Sequence, residues 1–286
     1  MSINFQKKVV AFKNKPFNVE VFDSADEVVR VSAKRSRTDS RFHNMSDPSE
    51  VDKNWTGVSS LEEALELMKS GYQPTVDKLK TGIKANVSGQ GKRISFFNDV
   101  VGYAPIVPLA LQGVPTSMRN SYMKPIKAKV IDVYYDMTAH CGIRKEDIIR
   151  AGQKVLAAIM ELEMSGYKFN LYAIQSYWGD NDCDMLCTKI KSSNTPLDLK
   201  RISFPLTHTA YFRVIGFDWY SKTPKGKYRY GYGHALAGSF NNEEMQKGFQ
   251  ELFGKNCIVF ACTDILKKDE ESIKSVIMET GKKVSK

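Results

Sequence analysis

The second half of the chain carries the clearest patterning. Lys129 to Asp136 holds Val130-Ile-Asp-Val-Tyr-Tyr-Asp136, a short run rich in β-branched and aromatic residues, and predicts a buried strand. From Glu146 to Ser165 the apolar residues Ile148, Ile149, Val155, Leu156, Ile159 and Leu162 recur at helical spacing, and Gly166 closes the run. That predicts a long amphipathic helix. Lys168 to Trp178 reads as a second strand, Gly179-Asp-Asn-Asp182 as a turn and Met185 to Lys191 as a third strand. A turn this short forces the two strands antiparallel, because a parallel pair needs a crossover of a dozen or more residues. Pro196 to Ser203 and Pro205 to Trp219 predict helices with a proline at each start. A further helix over Asn241 to Phe253, an apolar strand over Cys257 to Cys262 and a last helix over Glu270 to Thr280 complete the order.

The first half is less regular. Val19 to Phe22 and Val28 to Val31 read as short strands, and Ser32 to Asn54 as an exposed basic then acidic loop. Ser59 or Ser60, followed by Glu62 and Glu63, opens a helix with Leu61, Ala64, Leu65 and Met68 on one face, ended by Gly71. Asp77 to Gly91 reads as linker. Phe96 to Tyr122 is apolar but broken by prolines and glycines, which predicts an irregular segment packed over the edge of the following domain. The chain therefore divides into a polar segment over 1–55, a helix and proline-rich segment over 56–128 that packs on the core, and an α/β domain over 129–286.

Composition narrows the classes. Apolar residues are 42% and charged residues 26% of 286, as in a folded globular chain. No apolar run is long enough to span a bilayer and the N-terminus has no signal-peptide core, which predicts a cytoplasmic protein without a membrane partner. The five cysteines lack framework spacing and read as free thiols. The net charge of +10 gains meaning from its distribution. Between Thr188 and Arg229, nine Lys/Arg face two Asp and are interleaved with aromatic rings, a pattern suited to phosphates and stacked bases. Within it, Arg213, Lys222, Lys225, Lys227, Tyr228, Arg229 and Tyr230 are the candidate nucleic-acid contacts. The glycines of Lys222 to His234 let backbone approach an anion, although P-loop spacing is absent.

Two motifs carry a resemblance. Asp136-Met-Thr138-Ala-His140 ends the first strand of the 129–286 region, and Thr263-Asp264 ends a later apolar strand. In these positions the chain resembles the von Willebrand factor A domain, which has Asp-x-Ser-x-Ser and Thr-Asp there. The resemblance implies an α/β, Rossmann-like mixed sheet with one antiparallel hairpin edge, here preceded by an irregular N-terminal extension. It also implies a divalent cation, Mg or Mn, held by Asp136, Thr138, Asp264 and a threonine for which Thr207 or Thr209 is the nearest match. His140 replaces the second hydroxyl, and a nitrogen donor suits Zn or Mn better than Mg. Gly102 to Pro108, Gly113 to Met118 and Leu197 to Phe217 are similar to an uncharacterised family encoded by tailed bacteriophages and prophages. That likeness implies an origin, in the host cytoplasm, and no activity.

Three functions follow. The first is a binding protein whose partner is nucleic acid or a host or phage protein, engaged through the basic aromatic loop and the strand-end loops. The second is a metal-dependent phosphodiester hydrolase with Asp136, His140, His208 and Asp264 around the ion, His140 and His208 being its candidate catalytic groups. The third is a counter-defence protein that binds a host factor. Asp180, Asp182 and Asp184 read as turn residues, since the glycine and glutamate of a calcium loop are missing.

Overall fold

The computed structural model describes residues 17–38, 44–82, 92–125, 130–178, 183–223 and 243–283. In chain order the first elements are β1 (Phe17–Phe22), α1 (Ala25–Ser32), a 3-10 turn (Pro48–Glu50), α2 (Lys53–Thr56), α3 (Leu61–Ser70) and α4 (Gln73–Gly82). Then come β2 (Lys92–Asp99), β3 (Ala104–Pro105), α5 (Val107–Leu111) and β4 (Met118–Pro125). The remainder is β5 (Val130–Asp136), α6 (Lys145–Met164), β6 (Lys168–Trp178), β7 (Cys183–Lys191), α7 (Leu199–Thr207), a π turn (Tyr211–Gly216) and α8 (Phe217–Ser221), followed by α9 (Glu243–Phe253), β8 (Cys257–Ala261), α10 (Cys262–Ile265) and α11 (Glu270–Lys283).

The main sheet is mixed, with strand order β1-β7-β6-β5-β8, and is consistent with a Rossmann-like α/β fold. Only the β6–β7 hairpin is antiparallel; β5 pairs in parallel with β6 and β8, and β1 with β7. Both faces are buried, so the strands read as continuous apolar runs and not as alternations. Ile131, Val133 and Tyr135 of β5 face the larger core, which contains side chains of α6, α7, α8 and α11. Tyr134 faces a second core with Phe249 and Leu252 of α9. Helices α6 and α7 cross so closely that a Cβ on Gly152 would lie 2.1 Å from the Leu206 carbonyl oxygen, which reserves that position for glycine.

Residues from the first half enter this core. Strand β1 extends the main sheet, and α3 and α4 pack on α7. Helix α8 gathers the N-terminal pieces. Asp218 accepts from Ser32 Oγ at 2.5 Å and Ser46 Oγ at 3.3 Å and pairs with Lys222 at 2.7 Å. Trp219 Nε1 donates to Glu20, which also pairs with Arg35 at 3.0 Å.

Several expectations need correction. Val28 to Val31 is the interior of α1, because Ser24 caps the Glu27 N–H while the Glu27 carboxylate caps Asp23 N–H. Helix α4 (Gln73–Gly82) extends from before the expected linker into its first part, Asp77 to Gly82. Pro205 lies inside α7, which starts at Leu199 under an Asp198 cap, and the following helix is broken by extended backbone at His208 and by the π turn. The largest departure is Phe96 to Tyr122. It is not irregular but forms a separate antiparallel sheet of order β2-β4-β3, with large apolar side chains exposed.

Candidate functional site

In an open α/β sheet, ligands gather beyond the strand C-termini where strand order reverses. Here β5 is flanked by β6 on one side and β8 on the other, and register pairs Asp136 with both Ile174 and Ala261. The two predicted motifs are thus brought to adjacent strand ends: Asp136 closes β5, while Thr263 and Asp264 form the short α10 after β8.

The polar groups at the end of β5 are turned on one another, whereas the Thr263 hydroxyl is buried without a hydrogen-bond partner among the described residues. Thr138 donates to Asp136 Oδ1 twice, through its backbone N–H at 2.9 Å and its hydroxyl at 2.5 Å. Ser176 Oγ donates to Asp136 Oδ2 at 2.8 Å, and Ser176 N–H donates to Thr138 Oγ1 at 2.8 Å. All three side chains are fully buried. Sequence reasoning missed Ser176; its signal is the polar Gln175-Ser176 pair that follows the apolar run Leu171 to Ile174.

The other predicted ligands are engaged elsewhere. Thr207 Oγ1 donates to the Ser203 carbonyl at 2.7 Å and meets Thr75 Oγ1 at 3.1 Å, in a network continued by Gln153 and Lys78. Thr209 Oγ1 donates to the Thr56 carbonyl at 2.6 Å. Exposed His140 accepts from Gly142 N–H through Nδ1, and exposed Cys141 keeps its sulfur 3.8 Å from either ring nitrogen. This donor set does not fit a divalent cation. Both oxygens of Asp136 already accept from Thr138 and Ser176 inside a fully buried cluster, and Thr207 is held in a different network with Thr75 and Gln153. Among the described residues, no group of three or more His, Cys, Asp or Glu could share a metal ion.

His208 and Arg213 are both interior. His208 Nδ1 accepts from Ala210 N–H at 3.2 Å, which leaves the ring proton on Nε2, and the ring lies against Tyr72 and Phe204. Burial pulls its pKa down to about 4, with opposing contributions from Glu63 and Lys145, so the imidazole is neutral at pH 7. Arg213 is fully buried. Its Nη1 donates to the Trp55 carbonyl and its Nη2 to the Ile143 carbonyl, both at 2.7 Å, and its guanidinium stacks 4.4 Å from the Trp55 ring centroid. Burial lowers its pKa to about 10, which still leaves it charged.

As placed, Arg213 ties α2, the β5–α6 loop and the π turn together and has no exposed face for a phosphate. Lys222 is likewise held by Asp218. Lys225, Lys227, Tyr228, Arg229 and Tyr230 lie outside the described residues, as do Asp180 and Asp182; Asp184 is buried and accepts from Asn18 at 2.9 Å. All five cysteines are free thiols. No helix among the described residues is long and apolar enough to cross a membrane.

The chain belongs to the DUF7192 family. The family model, described as a domain of unknown function, matches residues 11–278. It therefore takes in β1, the small sheet and the main sheet together. No curated protein and no solved structure matches the chain.

The small sheet, unlike the strand ends, presents its side chains outward. Phe96 is 61% exposed, Val101 75% and Leu111 84%, and Val100, Tyr103 and Val107 are exposed as well. These residues sit on hydrogen-bonded backbone. Tyr103 N–H donates to Arg119 O at 3.0 Å and Ile106 N–H to Ser117 O at 2.7 Å, while Asn120 Nδ2 reaches Val101 O at 3.2 Å. A Cβ on Gly102 would fall 2.2 Å from Arg119 O, so the turn closes only with glycine there. The Arg119 guanidinium lies 5.8 Å from the Phe96 ring centroid.

Proposed function

We propose that this protein is a non-catalytic binding module, a von Willebrand A-like domain of phage origin, that docks a protein partner through the tip of its small sheet. The observation that carries this reading is the ordered, exposed apolar surface between Phe96 and Leu111. Seven large apolar side chains are exposed between Phe96 and Leu111, on the scale of the largest apolar patch of a typical monomer, roughly 300–600 Å². Val100 to Met118, 19 residues, contains no Asp, Glu, Lys, Arg or His in a chain that is 26% charged. Depletion of charge with retention of aromatics marks the centre of a protein interface. A nucleic-acid contact instead needs cations to replace the counterions of the phosphates.

Adjacent placement of the Asp136 and Thr263-Asp264 strand ends supports the von Willebrand A-like assignment. The inward-turned hydroxyls and the neutral, buried His208 favour binding over hydrolysis, because a hydrolase needs groups free to meet substrate. Phage origin rests on the likeness of the 102–118 and 197–217 segments.

The test is site-specific photocrosslinking in producing cells, with the photoreactive residue at position 101 or, as a control, at exposed Glu66. A defined protein adduct is expected from position 101 alone, and it should vanish when Leu111→Asp is added. Equal adducts from both positions, or salt-sensitive RNA or DNA binding indifferent to Leu111→Asp, would overturn the assignment.

A further inference from the structure

We infer that two copies of this chain join edge to edge through β2, making one continuous antiparallel sheet from their two small sheets. The inference rests on reading the small sheet as a docking surface, and it names a second occupant of that sheet, along the β2 edge, where Phe96 borders the tip.

The order β2-β4-β3 puts β2 at the rim, and among the described residues nothing pairs with its outer side. It is eight residues long, without proline, and carries Phe96 exposed. A long, regular edge with apolar side chains is a template for another strand unless charge or a bulge blocks it. Its pairing to β4 runs without a register shift from Lys92 to Asp99, so no bulge twists the edge away.

The charges select the occupant. Strand β2 reads Lys92-Arg-Ile-Ser-Phe-Phe-Asn-Asp99, with cations at its start and an acid at its end. Parallel self-pairing would set Lys92 and Arg93 beside their own copies. Antiparallel self-pairing reverses one strand and brings opposite charges together. A two-fold pair places one residue opposite itself, and only some centres satisfy the charges. Centring on Phe96 sets Arg93 opposite Asp99 of the second copy, twice by symmetry, with the two Phe96 residues facing at the axis. Centring on Ser95 sets Arg93 opposite Phe97, and centring on Phe97 sets Asp99 opposite Ser95; neither forms a charge pair. Like-with-unlike placement across strands stabilises a pair and like-with-like opposes it. The Phe96-centred register is therefore the one that the sequence of β2 complements. A self-complementary patch of this kind is the isologous interface of a two-fold dimer.

The experiment is sedimentation velocity on the full chain over roughly a hundredfold range of concentration, since the share of a reversible dimer depends on protomer concentration. The expected result is a monomer–dimer equilibrium. Arg93→Asp should weaken it at least tenfold by setting acid against acid, and Arg93→Asp with Asp99→Arg should restore it. Directly opposed residues lie about 4.5–5.5 Å apart between Cα atoms, within disulfide reach. In a Cys141→Ser background, Phe96→Cys should therefore give a covalent dimer on mild oxidation, and Val101→Cys should not. A chain that stays monomeric throughout, or a dimer unmoved by Arg93→Asp and unlinked by Phe96→Cys, overturns the inference. Leu111→Asp should leave the dimer intact. Loss of the tip contact with an intact dimer would refute the proposed function alone, and a monomer that still binds through its tip would refute this inference alone.

Discussion

The two regions singled out here use their side chains in opposite directions. At the β5 strand end and in the core beside it, polar groups are buried and mostly spent on internal partners: Asp136 is held by Thr138 and Ser176, Arg213 by two carbonyls, and His208 is neutral against Tyr72 and Phe204, while the buried Thr263 hydroxyl after β8 is an exception. In the small sheet, apolar groups are exposed on backbone ordered by hydrogen bonds between its strands and within its turn. The first arrangement stabilises the chain and offers little to a ligand. The second contributes little to its own stability and offers a surface. Where a protein places groups against their solvation preference, without internal compensation, is the better guide to its partner.

The sharpest way to break that contrast is at Arg213. Arg213→Met should cost about 3–5 kcal/mol in chemical denaturation, because two buried carbonyls lose charged donors. A loss under ~1 kcal/mol would mean that the guanidinium is not the tie described.

Next comes acid. The folded pKa of His208, about 4, lies below its ordinary 6.5, so protonation favours the unfolded chain. The His208 contribution is complete above pH 6.5 and falls away as pH drops toward 4, by about 2–3 kcal/mol at about 1.4 kcal/mol per pH unit. His208→Gln should flatten stability over that window; an unchanged slope would place the acid sensitivity elsewhere.

Asp136→Asn should cost about 1–2 kcal/mol, since the amide can accept at only one oxygen. Adding Mg²⁺ or Mn²⁺ should leave the melting temperature of the unaltered chain where it is. A metal-dependent rise, abolished by Asp136→Asn, would show that the hydroxyls can be recruited to an ion after all.

The smallest effect belongs to the tip. Val101→Asp and Leu111→Asp should change stability by no more than ~0.5 kcal/mol, as expected for exposed positions. A loss of several kcal/mol would show that the tip is structural and not a docking surface.

Patterning alone located β5, α6, β6, β7 and β8 within a few residues, because both sheet faces are buried and the amphipathic period of α6 is unbroken. It misread α1, where three valines outweighed a capping box whose evidence is the Ser24 and Glu27 pair. It misread Phe96 to Tyr122 because prolines at 105, 108 and 115 suggest irregularity, whereas they fall on a two-residue strand, a short helix and a turn that link β2 to β4. The candidate site was legible in part. The Asp136 and Thr263-Asp264 motifs do meet, since each ends a neighbouring strand. The engagement of Thr207 by Thr75 and of Arg213 by the Trp55 and Ile143 carbonyls had no local signal. Those partners lie 132, 158 and 70 residues away, two of them are backbone atoms, and a lysine or arginine in sequence looks the same whether it faces water or a carbonyl.

The first strand of the main sheet has a consequence for how the chain is made. Asn18 of β1 bonds Asp184 of β7 across 166 residues, and every β1 pairing is with that one distant strand. During synthesis at about 5–20 residues per second, β1 leaves the ribosome roughly ten to thirty seconds before its neighbour does. Through that interval Val19 and Phe22, both buried in the finished fold, have no sheet to enter. Strand β1 is thus made well before the strand it pairs with, while β8, at the opposite edge of the same sheet, is made later still.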